Sequence, residues 1–155
     1  MRLLELEHDN PSEIKGSYAA ALFDDDTAGR LAALVDDHGI PNAVAPHEFH
    51  ATIVHSRTPV FWRPEHDTYQ TATPSSYEVW KTQDGKNCLV LRVESPYLQT
   101  RFNLGMARGA SYDFDEYKPH VTLSYDVGED FDPSSLPLPD YDLIIDRERY
   151  EPLDI

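Results

Sequence analysis

Two histidines on predicted strands of this chain are each followed, two residues on, by a threonine: His50-Ala51-Thr52 and His120-Val121-Thr122. An imidazole titrates near neutrality, so a pair of them can hold one ring neutral and one protonated at the same pH. The neutral ring takes a proton from an attacking oxygen, and the protonated ring gives one to a leaving oxygen. Threonine hydroxyls donate to oxygens whose negative charge grows in the transition state. Together these four side chains suit an in-line displacement at phosphorus, with base and acid on opposite sides and no metal required. A single His-x-Thr means little, because a strand histidine is usually a packed or surface residue. Two copies, each on a predicted strand, carry the reading.

The copies belong to a longer repeat. A shift of 70 residues lays His50 on His120, Thr52 on Thr122 and Ile53 on Leu123, and the same shift lays Gly39 on Gly109. Each half reads strand, helix, glycine stop, loop, strand with His-x-Thr, the signature of a duplicated supersecondary unit. In the first half, 17–23 reads as a strand, and the following segment as a helix capped by Asp26 or Thr27 and ended by Gly39; 49–56 is the strand with the motif. Residues 58–75, rich in proline and threonine, read as a long loop or lid. A hairpin then turns at Gln83-Asp84-Gly85. Ser95 and Pro96 open the second helix, and residues 118–126 form the second motif strand. A loop over 128–141 leads to a last strand at 141–148. Strand alternation places His50 with Thr52, and His120 with Thr122 and Ser124, each set on one face. By the same rule His55 falls on the face opposite His50, and Lys118 on the face of His120. The chain reads as one α+β domain over 1–155, with pseudo-repeats at about 16–57 and 86–126 facing each other across a groove.

Net charge is −15, from 28 acidic and 13 basic residues. A protein gripping a long nucleic acid shows a basic track, and none is legible here; a small ligand with one or two phosphates needs only local donors. Aspartate outnumbers glutamate and arginine outnumbers lysine, a composition compatible with a salt-rich cytoplasm or simply with an acidic protein. The single Cys88, within CLVLRV, reads as a buried free thiol, and one cysteine makes no intrachain disulfide. No apolar run approaches the length of a membrane span, and the opening residues lack the apolar core of a secretory signal, so a cytoplasmic protein is expected. HEFH at 47–50 lacks zinc-ligand spacing, and no other metal spacing occurs. Neither a Gly-x-Ser-x-Gly turn nor a phosphate-cradling glycine loop is present.

The paired H-A-T-I and H-V-T-L resemble the two signatures of the 2H phosphoesterase superfamily. The stretches KGSYAA, HGIPNAV, FHATIVHSR, YEVWKTQ and YDFDEYKPHVTLSYDVG further resemble one branch, the phage anti-CBASS nucleases. The resemblance implies antiparallel sheets around a central groove with helices packed outside. It implies cleavage of the 3′–5′ linkages of cyclic di- and trinucleotide immune signals such as 3′3′-cyclic GMP–AMP, by attack of the neighbouring ribose 2′-hydroxyl and without a cofactor. It also implies base contacts for Tyr18 and Trp80, which could equally be packing aromatics, and a base-edge contact for Glu148, which could equally be a solvated strand-end carboxylate. Lys118 could reach a phosphate or lie free in solvent. Two other functions fit the same scaffold: a 2′,3′-cyclic phosphodiesterase acting on RNA ends, and a non-catalytic nucleotide sponge. Neither oligomeric state nor the base and acid roles of the two histidines can be read from the sequence.

Overall fold

Local chemistry sets the helix ends. Asp24 caps α1 (Asp25–Asp37), its carboxylate accepting from Thr27 N at 2.8 Å, two or three residues earlier than the sequence reading puts the cap. Ser95 caps α2 (Pro96–Ala107) by accepting from Leu98 N at 3.2 Å, with proline at the first helical position. Both helices stop where a glycine takes the left-handed region, Gly39 at φ 62° and Gly109 at φ 95°.

The structure, a computed structural model, describes residues 15–153. Its strands are β1 (Gly16–Phe23), β2 (His50–Ser56), β3 (Gln70–Lys81), β4 (Asn87–Glu94), β5 (His120–Ser124) and β6 (Leu143–Leu153). They form one six-stranded sheet in the order β2-β1-β6-β3-β4-β5, every pair antiparallel. Two three-stranded lobes, β2-β1-β6 and β3-β4-β5, meet only where Gln70–Ala72 pairs with Leu143–Ile145. The outer strands β2 and β5 then approach each other, and an isolated bridge joins Ala43 to Ser124. The main core, with Ala19, Ala21, Ile53, Leu89, Leu91, Val121, Leu123, Leu143 and Ile145, lies on the sheet face that the helices cover. Tyr18, Ala20 and Leu153 pack on the other face.

Three strand expectations need correction. The segment read as loop to residue 75 is already strand from Gln70. Pro74 is tolerated there because it flanks a register shift, where a missing N–H breaks no ladder. The last strand starts at Leu143 and runs on to Leu153, past the expected end, because β1 offers partners as far as Gly16. The third correction concerns which way the side chains of β2 and β5 face.

Each motif strand carries a β-bulge. The pairing of β1 with β2 slips between Ala19 and Ala20, and that of β4 with β5 slips between Leu89 and Val90, again positions 70 residues apart. In β2 both Ile53 and Val54 are buried, and in β5 both Leu123 and Ser124. Two consecutive inward side chains end the simple alternation. His55 therefore returns to the face of His50 and Thr52, as the register partner of Tyr18. Ser124 does not share the face of His120; it is buried and donates to the Pro41 carbonyl at 2.6 Å.

Candidate active site

His50 and His120 open their strands at matching places, and their rings are held in matching ways. His50 Nδ1 lies 2.8 Å from the Glu48 carbonyl and His120 Nδ1 lies 2.8 Å from the Lys118 carbonyl. A carbonyl only accepts, so Nδ1 carries the hydrogen in both rings, and each Nε2 is left for the groove. Thr52 is fixed twice. Its hydroxyl shares a hydrogen bond with Tyr18 Oη (2.9 Å), and its carbonyl accepts from Tyr117 Oη (2.7 Å). Tyr117 is itself stacked on Phe102 of α2, with ring centroids 4.3 Å apart and planes 2° from parallel.

Tyr18 lies between two imidazoles, its ring 6.4 Å from His50 and 5.7 Å from His55, both edge-on. It is largely buried, and that burial raises its hydroxyl above the ordinary tyrosine range, so it remains a neutral donor. Beside it on β6, Arg149 and Glu151 form an ion pair at 3.1 Å.

On the other lobe a cavity of about 880 Å³ adjoins the second motif. Trp80, Cys88, Val90, Tyr112, Phe114 and Lys118 line it together with His120 and Thr122. The Trp80 ring meets His120 edge-on at 4.4 Å, and its indole N–H donates to Glu78 at 2.7 Å. Glu78 also accepts from Arg92 Nη1 at 2.9 Å. Lys118 Nζ is half-exposed, 4.0 Å from Glu116. Cys88 is not the buried thiol expected; it is partly exposed on the cavity wall, at the place in its lobe that Tyr18 occupies in the other. Burial of the His120 ring, chiefly, lowers its pKa below the usual histidine value, with His50 and Arg92 adding to the effect.

Four of the eight residues singled out in the sequence, Trp80, Lys118, His120 and Thr122, line this cavity, and three more, Tyr18, His50 and Thr52, cluster on the other lobe. Glu148 does neither. It pairs in register with Ala21, whose side chain belongs to the core face, and its carboxylate is fully buried there. It accepts from Trp62 Nε1 (3.0 Å), from Arg101 Nε and Nη2 (2.7 and 2.8 Å) and from Tyr97 Oη. No lone pair is left for a base, and the carboxylate ties the 60–66 segment and α2 to the sheet. His55, Cys88, Tyr112, Phe114 and the Glu78–Arg92 pair escaped the sequence reading as groove residues. Among the described residues no three histidine, cysteine, aspartate or glutamate side chains gather as metal ligands, and no helix is long and apolar enough to cross a membrane.

Comparison with known proteins bears on the fold and the family. Solved structures of the same fold include Escherichia coli LigT complexed with 3′-AMP (TM-score 0.53, 15% identity, 90% of this chain and 95% of that one). A structure described as a phosphoesterase is similar to the same degree (TM-score 0.54, 15% identity, 90% and 95%). Among curated proteins, the anti-CBASS protein Acb1 of Salmonella phage S16 is 41% identical over 140 residues, covering 90% of each chain. That of Enterobacteria phage T4 is 41% identical over 138 residues, 89% of this chain and 88% of its own. The family described as Anti-CBASS protein Acb1 matches residues 15–155. The chain therefore belongs to the Acb1 family of anti-CBASS proteins, built on the fold of the LigT-like 2H phosphoesterases.

Proposed function

We propose that this protein cleaves the 3′–5′ linkages of cyclic di- and trinucleotide immune signals, 3′3′-cyclic GMP–AMP among them, by a two-histidine mechanism that needs no metal. The coarser statement, a phosphodiesterase that degrades cyclic nucleotide signals in viral evasion of host immunity, rests on the family and the fold. The observation that carries the finer one is the matched pair of imidazoles, each with Nδ1 tied to a backbone carbonyl and Nε2 left for the groove.

In the reaction, one Nε2 removes the proton of the ribose 2′-hydroxyl as its oxygen bonds to phosphorus. The P–O5′ bond breaks, and the other imidazole protonates the departing oxygen. The product is linear and carries a 2′,3′-cyclic phosphate or, after hydrolysis, a terminal phosphate. Thr52 and Thr122 donate to the non-bridging oxygens. Tyr18 and Trp80 offer aromatic faces to the bases, and stacking of this kind contributes about 1–3 kcal/mol per base. Lys118 supplies a cation at the cavity mouth.

The test is incubation with 3′3′-cyclic GMP–AMP in excess EDTA, followed by product analysis. The wild type should give the linear product. His50→Ala and His120→Ala should each lose at least a hundredfold in turnover while still binding the ligand, in line with the usual contribution of general acid–base groups of roughly 10²–10⁴. Full activity in either variant refutes the scheme, and binding without any turnover by the wild type would make the protein a sponge.

A further inference from the structure

A chain folded from two like halves would give its two histidines like surroundings, yet the reaction needs one to accept a proton and the other to give one. The halves differ most directly at the cross-strand partner of each histidine. The cross-strand partner of His50 on β1 is Leu22, and the corresponding partner of His120 on β4, 70 residues later, is Arg92. Paired residues share a face, so the Arg92 side chain lies beside the His120 ring. There it is partly buried, with Nη1 on Glu78 at 2.9 Å and a buried Nε that meets no acceptor among the described residues. Glu78 in turn holds the indole of Trp80, which closes the ring of His120 from β3.

We infer that Arg92, anchored by Glu78, is a positioning residue that sets the two histidines apart: it keeps His120 as the acceptor of the 2′-hydroxyl proton and leaves His50 to protonate the departing O5′. This rests on the two-histidine reading above. A guanidinium beside an imidazole opposes the imidazolium form, and the Trp80 ring withholds the water that would solvate it. The charged and titratable groups that face His120 are Arg92 from β4, Glu78 from β3 and His50 across the groove; from its own segment come the Lys118 carbonyl, which holds its Nδ1, and the Lys118 ammonium, which lines the same cavity. Arg92 and His50 both oppose protonation. Glu78 favours it more weakly than Arg92 opposes it, its charge being spent on Arg92 and Trp80. The proton balance closes: O2′–H gives its proton to His120 Nε2, the O2′–P bond forms as P–O5′ breaks, and the proton on His50 Nε2 moves to O5′.

The pH profile of kcat/KM on 3′3′-cyclic GMP–AMP tests the assignment. Its acid limb reports the base of the free enzyme. Arg92→Gln should move that limb to higher pH, so that activity falls several-fold below neutrality and rejoins the wild type on the alkaline side. Arg92→Lys should keep the wild-type limb. A loss in Arg92→Gln by the same factor at every pH would leave Arg92 a merely structural residue and overturn the inference. Should the variant turn over too slowly, NMR titration of the His120 ring reads the same upward shift without catalysis. The roles themselves are read with a substrate whose scissile O5′ is replaced by sulfur, a leaving group that needs no proton. His50→Ala should regain activity on it and His120→Ala should not; the reverse pattern overturns the inference. If either His50→Ala or His120→Ala kept full activity on the natural linkage, the two-histidine reading itself would fall, a result distinct from a flat response to Arg92→Gln.

Discussion

The bulge in β2 has a counterpart in α2, and the pair makes a sharp test of the packing. Because Val54 faces inward beside Ile53, its Cγ2 reaches the helix at Gly105. A Cβ built on that glycine would lie 2.7 Å from Val54 Cγ2 and 3.4 Å from Trp62 Cζ3. In an open helix Gly→Ala would stabilise by about 0.8–1.0 kcal/mol. Here the new methyl falls roughly 1 Å inside the ordinary 3.5–4.0 Å carbon–carbon contact. Val54 cannot easily turn away, since a β-branched side chain is stiff at χ1 and its backbone is paired with Ala19. Trp62 is held on its other side by Glu148. Overpacking costs about 1–3 kcal/mol, and a methyl this far inside contact distance falls at about 2–3, so Gly105→Ala should destabilise by about 1–2 kcal/mol after the propensity gain. In a domain of this length that lowers Tm by about 2–8 °C. In a Val54→Ala background the clash is gone, and the same Gly105→Ala should raise Tm. Thermal unfolding of the four proteins in the double-mutant cycle measures the coupling. A higher Tm for Gly105→Ala in the wild-type background would refute the reasoning about the bulge, and with it the route by which His55 reaches the groove.

Glu148→Gln should lower stability by about 3 kcal/mol, because it leaves the Arg101 guanidinium buried beside a neutral amide; calorimetry should show the loss with or without ligand, whereas a base-reading residue would alter substrate preference and leave Tm unchanged. Cys88, on the cavity wall beside His120, should react with iodoacetamide and lose activity, with ligand protecting it and Cys88→Ser immune. Burial, seconded by Asp126, raises its thiol pKa, so the thiolate fraction and the inactivation rate should still be climbing above pH 9; a rate already at its plateau near pH 7 would contradict that environment. With a net charge of −15 opposing an anionic ligand, kcat/KM should rise with added salt as the Debye length shrinks from about 10 Å at 0.1 M to about 3 Å at 1 M. A fall with salt would mean that the local cations of the groove outweigh the global field.

What could be read in advance was whatever local chemistry decides. Ser95-Pro96 and the two stop glycines mark helix ends because their backbone roles are fixed by residue type, and the His-x-Thr pairs announce themselves by type and repetition. The bulges could not be read. Ile53-Val54-His55 alternates perfectly well as a plain strand, and the extra residue exists only because the strand beside it slips by one, a property of the pair and not of either sequence. His55 and Ser124 were therefore assigned to the wrong faces. Glu148 failed for a related reason: Trp62, Tyr97 and Arg101 lie 86, 51 and 47 residues away along the chain, so nothing near the carboxylate hints that it is buried. Gln70–Ser75 looked like loop because Pro74 counts against a strand everywhere except beside an irregularity.

The order of the strands also bears on how the molecule comes into being. The lobe with His120 is assembled from consecutive strands, β3, β4 and β5, whereas the lobe with His50 needs β6, which is separated from β2 by the 86 residues between Ser56 and Leu143 and leaves the ribosome after the other five strands. Until β6 arrives, the nascent chain carries β1 with one edge unpaired, and its AAALF stretch bears no charge, the kind of strand that templates association between chains. Asp24, Asp25 and Asp26 follow at once, and charges at the flank of an apolar strand act as gatekeepers. The acidity that hinders capture of an anionic ligand would on this view keep newly made chains apart while the first lobe waits for its last strand.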